Sequence, residues 1–421
     1  MNCNVLLITV SFPYSPGEEF LETEIKYFEK NQNICLTIIP LIKKDKKREL
    51  SNNIKIDEFL VNSCRTTISY RIFGIVKSLF TKVFYREIQY FNILNIFHWR
   101  NFLVSVSLYK NYYDCFESYF QILSNENHDF ENMIIYTYWN TESTYALQSL
   151  KNKYGYKLVS RIHGFDLYEE RRIASYMPLK RQFVDNIDII FTITESANNY
   201  LCKTYNFQFS KLLLSRLGVE DLDIISHQNE GNNKFHLVSC SFMTEVKQLD
   251  KIIFALEKVA NSRSDIDFIW SHIGDGYLYK KLLELAHLKL SKMKNVHVHF
   301  LGHLDNNKVY EFYKTNTIDV FINVSKSEGV PVSIMEAMSC RIPVIAPNIG
   351  GIADMIENNV NGLLLSKVCT IDEIVESLNK IDFFKNTSIR ENAYKMFLEK
   401  YNAKTNYSNF IENLISLKKE L

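Results

Sequence analysis

The sequence has no pattern that would pair its cysteines. Its 8 cysteines are scattered, and none belongs to a C-x-x-C pair or to a zinc-type spacing. Scattered cysteines are typical of proteins in a reducing compartment, where they serve as small buried side chains. We therefore expect neither disulfides nor a metal site built on thiolates.

Long apolar runs and an excess of charge are missing as well. No stretch approaches the roughly eighteen apolar residues of a membrane-spanning helix. The N-terminal run Val5–Val10 is short and predicts a strand rather than a signal peptide, so we expect a cytoplasmic protein. The formal net charge of +1 gives no general attraction to nucleic acid, which is not expected as a partner.

Two cofactor motifs are absent from the positions where an α/β protein carries them. The glycine fingerprint G-x-G-x-x-G does not follow the first predicted strand, which disfavours a dinucleotide cofactor. No D-x-D pair falls at the end of a predicted strand, so no metal is expected. The sequence thus predicts a protein that works without a resident cofactor.

The sequence does contain a repeated alternation of short β-branched runs and helical patterns. Its 421 residues suffice for two to three domains. This alternation predicts an α/β fold. The predicted strands are Asn4–Val10, Leu36–Leu41, Met133–Tyr138, Lys157–Ile162, Ile187–Ile193, Phe235–Cys240, Phe268–Ile273, Val296–Phe300, Asp319–Val324 and Pro343–Ala346.

The most informative stretch runs from Asp319 to Leu365 and predicts a strand, a loop, a helix, a strand and a glycine turn. Pro331 suits the first turn of the helix because its φ is fixed and its missing N–H has no partner there. The amides at this helix start carry partial positive charge and lack intrahelical acceptors, so they suit a phosphate. They are the amides of Gly329, Val330, Val332 and Ser333.

Two carboxylates flank this helix start. Glu328 stands just before it, and Glu336 follows eight residues later inside the helix. Carboxylates do not hold a phosphate, but they accept hydrogen bonds from the hydroxyls of a sugar and of a ribose. Two solvated glutamates on a helix would give the same spacing, so the surrounding pattern decides between the two interpretations.

The segment SEGVPVSIMEA, residues 327–337, resembles the E-x7-E signature of the retaining glycosyltransferases of family 4, which have the GT-B architecture. The Gly350-Gly351 turn and Asn361-Gly362 fall at further elements of that family, as does Asp354, where the family usually has Glu. The resemblance implies two Rossmann-like domains that face each other across a cleft, with the last helix crossing back to the first domain.

The same resemblance implies an activity and a domain plan. The activity is transfer of a sugar from a nucleotide-diphosphate sugar to a saccharide acceptor, lipid-linked in polysaccharide biosynthesis, with retention of configuration. The plan comprises an acceptor-side domain at 1–218 with an insertion at 62–112, a linker at 219–233, a nucleotide-sugar domain at 234–387 and returning helices at 388–421.

Catalytic roles are assigned by the resemblance to His163, Lys247 and Glu328. His163 ends a predicted strand in an HGFD segment, where the family has a histidine near the reacting sugar; a plain backbone contact is the alternative. Lys247 matches the lysine of the family's Arg–Lys clamp on the diphosphate, whereas Phe242 replaces the arginine. With that departure, one cation of the clamp is absent or comes from elsewhere.

Further contacts with the donor are expected from Glu336, which would meet the ribose, and from the helix-start amides. The segments Gly274-Asp275-Gly276 and Gly302-His303-Leu304 resemble other donor-binding elements, so Gly274, Gly276 and His303 are included among the donor-binding residues. The loop after the first strand contains Gly17 and Glu18. In the family this loop faces the acceptor and the cleft, although a plain turn would have the same sequence pattern.

The insertion 62–112 is basic and aromatic. It holds seven Lys or Arg and a single acid, Glu87. Apolar residues recur at helical spacing from Ile72 to Val83, with Lys77 and Lys82 off that stripe. This combination predicts either a helix on an anionic membrane surface or a packed insertion with solvated charges.

Two alternatives to transfer stay open at this point. A nucleotide-sugar epimerase on the same architecture would need acid–base carboxylates in the first domain. A non-catalytic subunit that binds a partner glycosyltransferase is the other alternative, and Phe242 is the residue that raises it.

Overall fold

The computed structural model describes residues 3–64, 67–183, 186–229 and 233–419. The chain folds into two units. The first comprises Met1–Arg216 together with Tyr407–Leu421, and the second comprises Leu217–Asn406. Each unit is built on one parallel β-sheet.

The strands and helices follow one another in the alternation that the sequence predicts. The strands are β1 Cys3–Thr9, β2 Tyr14–Ser15, β3 Ile34–Pro40, β4 Lys46–Lys47, β5 Lys55–Ile56, β6 Met133–Thr137, β7 Lys157–Ile162, β8 Ile189–Thr192, β9 Leu212–Leu214, β10 Lys234–Cys240, β11 Asp267–Ile273, β12 Val296–Phe300, β13 Val320–Ile322, β14 Val344–Pro347 and β15 Gly362–Leu365. The helices are α1 Leu21–Lys30, α2 Phe59–Ser63, α3 Ile68–Ser78, α4 Lys82–Glu87, α5 Ile96–Asn125, α6 Glu142–Tyr154, α7 Gly164–Leu167, α8 Glu195–Tyr205, α9 Asp250–Ser262, α10 Tyr279–Leu290, α11 Asn306–Thr315, α12 Val332–Ser339, α13 Ile371–Leu378, α14 Ile381–Lys385, α15 Thr387–Lys400 and α16 Ala403–Lys419.

The sheet of the first unit has the strand order β5-β3-β1-β6-β7-β8-β9. Its interior strand β1 is buried on both faces, with Val5 and Leu7 inaccessible on one face and Leu6 and Ile8 nearly so on the other. A parallel sheet requires this, because the crossover helices cover both of its faces. The loops that leave the carboxyl ends of these strands carry the candidate residues of this unit, Gly17, Glu18 and His163.

The sheet of the second unit has the order β12-β11-β10-β13-β14-β15, again with parallel pairing. Trp270 on β11 is fully buried in its core. The loops after β10, β13 and β14 meet at the carboxyl edge, where ligands bind in open parallel sheets. Lys247, Glu328 and the Gly350-Gly351 turn lie on these three loops.

The chain returns to the first unit only in its last helix. Phe410 on α16 packs against Phe28, Tyr136 and Phe191, with ring centroids 6.2, 5.2 and 4.7 Å apart. The preceding helix α15 belongs to the second unit. The predicted returning segment 388–421 therefore divides, and only the part from Tyr407 onward joins the first unit.

The predicted linker, residues 219–233, is bound to the second unit by hydrogen bonds and is not a free connection. Asp319, buried at the start of β13, accepts hydrogen bonds from the backbone N–H and the Nδ2 of Asn229 at 3.1 and 2.7 Å. It also accepts the N–H of His236 at 2.7 Å. The described residues 217–229 are thus part of the second unit, and 230–232 lie outside the described residues.

The insertion contains two short helices where the apolar spacing from Ile72 to Val83 predicted one. Helix α3 ends at Ser78, and Thr81 begins α4 by accepting the N–H of Phe84 at 3.4 Å. The long helix α5 then continues past the predicted end of the insertion to Asn125. Among the helices of the described residues, none has the length and apolar character needed to cross a membrane.

Candidate active site

A lysine–glutamate pair forms the charged centre of the site in the second unit. The Nζ of Lys247 lies 2.7 Å from Glu328 Oε1, with the two side chains 24% and 9% exposed. Asn323 Nδ2 donates to the same oxygen at 3.1 Å. The two donors fix the orientation of the carboxylate. Sequence reasoning named the lysine and the glutamate but missed Asn323, whose signal was its place at the end of a strand.

The Gly350-Gly351 turn holds the loop that carries Glu328. Gly350 has φ +52°, and a Cβ on it would lie 2.1 Å from the backbone oxygen of Glu328. Gly351 N–H donates to Gly329 O at 2.7 Å. Only glycine permits this approach, so the turn fixes the position of Glu328 through the backbone.

The helix start beside this loop matches the prediction in position. Pro331 caps α12, with φ −72°, and the helix proper begins at Val332. Ile334 N–H donates to Pro331 O at 3.2 Å, so the amides of Val332 and Ser333 before it are the ones left without an intrahelical acceptor. Gly329 stands next to them, and no described atom lies within 4 Å of the place where its Cβ would be. A ligand can therefore reach the backbone at Gly329, in contrast to Gly350.

Glu336 lies deeper in α12 and is almost completely buried. Asn306 Nδ2, at the start of α11, donates to its Oε1 at 2.6 Å. Burial raises the pKa of Glu336 to about 7. Ligand hydroxyls that donate to this carboxylate would stabilise its charged form, which suits the predicted contact with a ribose. Asn306 is a second polar partner that sequence reasoning missed.

Gly274 and Gly276 support a loop instead of lining open space. A Cβ on Gly274 would lie 2.0 Å from Ser241 O, and one on Gly276 would lie 2.6 Å from Met243 O. Their φ values of +138° and +158° also favour glycine. These glycines therefore position the loop between β10 and α9 that carries Lys247, and their predicted contact with a donor stays a prediction.

Two other predicted positions are solvent-exposed. The His303 side chain is 71% exposed, with its Nε2 3.9 Å from Asp305 Oδ1. Phe242, in the place of the family's arginine, is also exposed. Among the described residues, no contact fixes the His303 ring for a nucleotide base, and its role stays a prediction.

His163 lies in an aromatic cage in the first unit. Its ring centroid is 4.8 Å from that of Tyr138, 4.6 Å from that of Trp139 and 6.1 Å from that of Phe20. Burial and the nearby Arg161 lower the pKa of His163 to about 3, so the imidazole is neutral. Its Nε2 is buried with no hydrogen-bond partner among the described atoms. A buried unpaired nitrogen is costly and is available to a ligand.

The loop that carries His163 is fixed by a buried cluster that sequence reasoning missed. Asp166 accepts the N–H of His163 and the N–H of Asn140, both at 2.6 Å. Lys180 is also buried, and its Nζ donates to Asn140 Oδ1 at 2.8 Å. Burial lowers the pKa of Lys180 to about 8. Asp166 of the HGFD segment was the one residue of this cluster that the sequence could have pointed to.

Glu18 acts on its own loop. Its carboxylate accepts the N–H groups of Ser11 and Phe12, both at 2.7 Å, and Trp139 Nε1 at 2.7 Å. Glu18 therefore fixes the first loop against the aromatic cage of His163. Gly17, with φ +114°, provides the turn before it. The predicted contact of these two residues with an acceptor stays a prediction.

Carboxylates and thiols do not gather into a metal centre in the part of the chain that the structure describes. No group of three or more His, Cys, Asp or Glu side chains there is placed to hold an ion.

Comparison with known proteins identifies the family. Residues 222–396, which hold the Lys247–Glu328 site, match the family Glycosyl transferases group 1. The second unit is therefore similar to the group 1 glycosyltransferases, and this similarity extends to curated relatives and to solved structures with the same fold. The predicted family resemblance is thereby confirmed.

Two curated glycosyltransferases are similar to this chain over part of their length. An uncharacterized glycosyltransferase of Methanocaldococcus jannaschii is 28% identical over 255 residues, 60% of this chain and 66% of that protein. The O-antigen biosynthesis glycosyltransferase WbnH of Escherichia coli is 25% identical over 261 residues, 58% of this chain and 67% of that protein. The matches thus span about two thirds of the length of these relatives.

Solved structures establish the GT-B fold of the chain. The lipopolysaccharide outer core galactosyltransferase WaaB has a TM-score of 0.69 at 16% identity and covers 99% of both chains. HepE of Anabaena, solved in complex with UDP-glucose, has a TM-score of 0.61 at 15% identity, with 98% of this chain and 99% of that chain covered. The predicted fold class of two Rossmann-like domains is confirmed.

Proposed function

We propose that this glycosyltransferase moves a sugar from a nucleotide-diphosphate sugar to a saccharide acceptor, with retention of the anomeric configuration. The observation that carries the proposal is the Lys247–Glu328 pair beside the start of α12. A cation and free helix amides suit a diphosphate, and a carboxylate suits the hydroxyls of the attached sugar. The three groups therefore match the parts of one donor molecule.

In this proposal Lys247 and the amides of the α12 start neutralise the diphosphate as it leaves. Negative charge grows there while the bond to the anomeric carbon breaks, so these groups stabilise the transition state more than the ground state. The acceptor hydroxyl forms the new bond on the same face and gives its proton to the departing diphosphate oxygen. Positioning and charge stabilisation then account for catalysis without a carboxylate nucleophile.

The donor and acceptor are proposed by class. HepE was solved with UDP-glucose, which makes UDP-glucose the first donor to test. WbnH is an O-antigen biosynthesis glycosyltransferase, which supports a lipid-linked saccharide of a surface polysaccharide as the acceptor. We assign contact with the donor sugar to the neutral, unpaired Nε2 of His163.

The epimerase alternative loses support from the contacts of the first unit. Epimerisation through free acid–base carboxylates would need Asp166 or Glu18 available to a sugar. Both are buried and accept backbone N–H groups, Glu18 from its own loop and Asp166 from its own loop and from the neighbouring loop after β6. They therefore act as positioning residues.

The non-catalytic subunit remains the second candidate, because one specific residue favours it. Phe242 exposes an aromatic ring where the family has the second cation of the clamp. A subunit that only binds a partner would tolerate this loss of charge, whereas an enzyme needs the remaining lysine and amides to suffice.

The experiment that tests the proposal incubates the purified chain with UDP-glucose and other nucleotide sugars, with and without saccharide acceptors. We expect a glycoside whose anomeric configuration, read by NMR, equals that of the donor. An inverted product contradicts the retaining mechanism. Free sugar and nucleotide without an acceptor would support the epimerase, and donor binding without turnover with any acceptor would support the subunit.

A further inference from the structure

The first unit carries an apolar surface that its own fold leaves uncovered. It is formed by the outer side of α3, by α4 and by the segment up to Phe97, and we name it the 68–97 surface. Phe80 and Leu94 are 88% and 95% exposed. Ile68, Ile72 and Ile96 are also largely exposed. Several large apolar side chains exposed along one segment mark a surface that contacts another body.

Helix α3 is docked on its small, polar side. A Cβ on Gly74 would lie 2.7 Å from Ser107 Oγ of helix α5, so the two helices approach closely there. Ser78 Oγ donates to Gly74 O at 2.7 Å and to Val106 O at 3.2 Å. Ser107 Oγ donates to Arg71 O at 2.7 Å.

The orientation of α3 is thus the reverse of that of a helix that buries its apolar side in a core. Hydrogen bonds and small side chains hold the inner face, and the apolar stripe faces outward. Of the predicted stripe, Ile72, Val76 and Leu79 are all exposed. Val83 of the same stripe packs against the core of the first unit, as do Phe84 and Phe102 of the insertion. The insertion is therefore packed on the domain while the outer side of α3 stays uncovered, so the two predicted interpretations are compatible.

The charges around this surface have one sign. Its exposed cations are Arg71, Lys82, Arg86 and Arg100. Glu87, the single acid between 62 and 112, is buried and accepts Tyr176 O–H at 2.6 Å and Leu179 N–H at 2.8 Å. It presents no negative charge to a partner. The predicted basic residue Arg65 lies outside the described residues.

Lys77 plays a different part from the other cations. It pairs with Asp114 on α5 at 2.8 Å, and Lys110 pairs with the same carboxylate at 2.6 Å. Lys77 therefore helps to dock α3, and changing it would disturb the support of the surface. Lys82 and Arg86 are the cations on α4 that a test can change without touching these ion pairs.

We propose that the 68–97 surface binds an anionic lipid membrane, with Phe80 and Leu94 inserted at the boundary of headgroups and acyl chains and Lys82 and Arg86 among the anionic headgroups. Exposed apolar tips interleaved with cations are what an interfacial helix requires. The proposal goes beyond sugar transfer and is independent of it, because binding is measured without donor or acceptor.

Charge complementarity favours a lipid surface over a protein partner. A bilayer offers apolar depth for the tips and a continuous layer of anionic headgroups at the same height as the cations. A protein partner would have to supply both features in one matching patch. Self-association through the apolar tips is the other competing explanation, and both alternatives give distinct results in the test below.

The test is sedimentation with vesicles of phosphatidylglycerol mixed with phosphatidylethanolamine, compared with vesicles of phosphatidylcholine alone, at low and high salt. We expect the full chain to bind the anionic vesicles at low salt and to be released by salt. The double variant Lys82→Glu/Arg86→Glu should lower the partition coefficient roughly 30-fold or more, since each cation contributes appreciably at an anionic surface. Phe80→Ser/Leu94→Ser should reduce binding at low salt as well.

The matched control is Lys292→Glu/Lys294→Glu, which makes the same charge change at two exposed lysines of the second unit. We expect this control to bind anionic vesicles nearly as well as the wild type, and so roughly 30-fold more strongly than the Lys82/Arg86 variant. The thermal shift caused by UDP should be unchanged in every variant, which separates loss of the surface from loss of the fold.

Three results would overturn the proposal. The first is a wild-type chain that does not sediment with anionic vesicles at low salt. The second is equal binding to phosphatidylcholine vesicles. The third is a loss of binding in the control as large as that in the Lys82/Arg86 variant. A dimer in size-exclusion chromatography that Phe80→Ser/Leu94→Ser dissociates, without vesicle binding, would assign the surface to self-association.

Discussion

At the scale of single residues, burial sets the chemistry of both half-sites more than charge pairing does. Glu336 and His163 are both driven towards their neutral forms by loss of solvent, the first with a raised and the second with a lowered pKa. His163 thereby offers a neutral nitrogen to a ligand, whereas Glu336 offers a carboxylate whose charged form hydroxyl donors would stabilise. Sequence spacing located both residues but gave no measure of their burial.

The raised pKa of Glu336 predicts a pH dependence of stability. A carboxyl with pKa 4.5 when unfolded and about 7 when folded favours the folded state fully below pH 4.5, and this contribution is lost as the pH rises to about 7. The loss amounts to about 3 kcal/mol at 1.36 kcal/mol per pKa unit. Glu336→Gln keeps the acceptor for Asn306 and should not show it. Denaturant unfolding at several pH values measures the difference, and parallel pH curves for both proteins would contradict the assignment.

Asp166 provides the second prediction at this scale. Asp166→Asn places an amide against the N–H groups of His163 and Asn140 and removes the negative charge beside buried Lys180. Leaving one of these buried N–H groups without an acceptor costs about 1–3 kcal/mol. We expect a large drop in the melting temperature of the variant and a lower kcat through displacement of His163. Asp129→Asn, at an exposed loop of the same unit, is the control and should be near neutral. Equal stability of the two variants would show that the cluster is not structural.

At the scale of elements, the two glycines of the second unit's site have opposite surroundings, and this difference is testable. Gly350→Ala would place a Cβ 2.1 Å from Glu328 O at φ +52°, whereas Gly329→Ala meets no described atom within 4 Å. We expect Gly350→Ala to destabilise the protein by more than about 1 kcal/mol, since both strain and a clash oppose it.

Gly329→Ala should instead leave the melting temperature unchanged and weaken UDP binding, because its Cβ would occupy space where the ligand approaches the backbone. Thermal melts with and without UDP distinguish the two effects. A Gly329→Ala protein that binds UDP as the wild type does would place the diphosphate elsewhere.

Element by element, the sequence predicted the sheets well and the insertion poorly. Lys157–Ile162 and Val296–Phe300 were predicted to the residue. The first is buried along nearly its whole length, and the second is an edge strand in which apolar residues alternate with histidines. The stripe from Ile72 to Val83 predicted one helix, but the cap at Thr81 divides it. Apolar spacing also does not say which side of a helix is docked, and the small residues Gly74 and Ser78 decided that for α3.

The sequence predicted the charged residues of the site, but it did not predict the residues that hydrogen-bond to them and fix their positions. Lys247 and Glu328 stand in motifs, whereas Asn323 and Asn306 are identified only by the atoms that they reach. Gly274 and Gly276 were expected to face a ligand, but their surroundings show close contact with backbone. A glycine in a sequence does not reveal whether a ligand or the chain itself occupies the space beside it.

At the scale of the whole molecule, the proposed donor-binding residues Lys247, Glu328 and Glu336 lie in the second unit, whereas the chain joins the first unit again from Tyr407 onward. The sequence did not reveal that the chain passes from the second unit to the first at Tyr407, because α15 and α16 are both amphipathic helices of ordinary composition. Phe410 shows the result: it contacts α1, β6 and β8 of the first unit. The family match over 222–396 agrees with a donor domain that is complete in the second unit.

The central claim is that Lys247 stabilises a leaving diphosphate, and steady-state kinetics of Lys247→Ala with UDP-glucose, or whichever nucleotide sugar proves to be the donor, test it most directly. The matched control is Lys258→Ala, which removes a 2.8 Å ion pair with Asp372 on the exposed surface of the same unit. Loss of a contact with the developing charge should cost about 2.7–4 kcal/mol. The account predicts a hundredfold or greater fall in kcat/KM for Lys247→Ala, with the control unchanged. Equal rates for the two variants would contradict it.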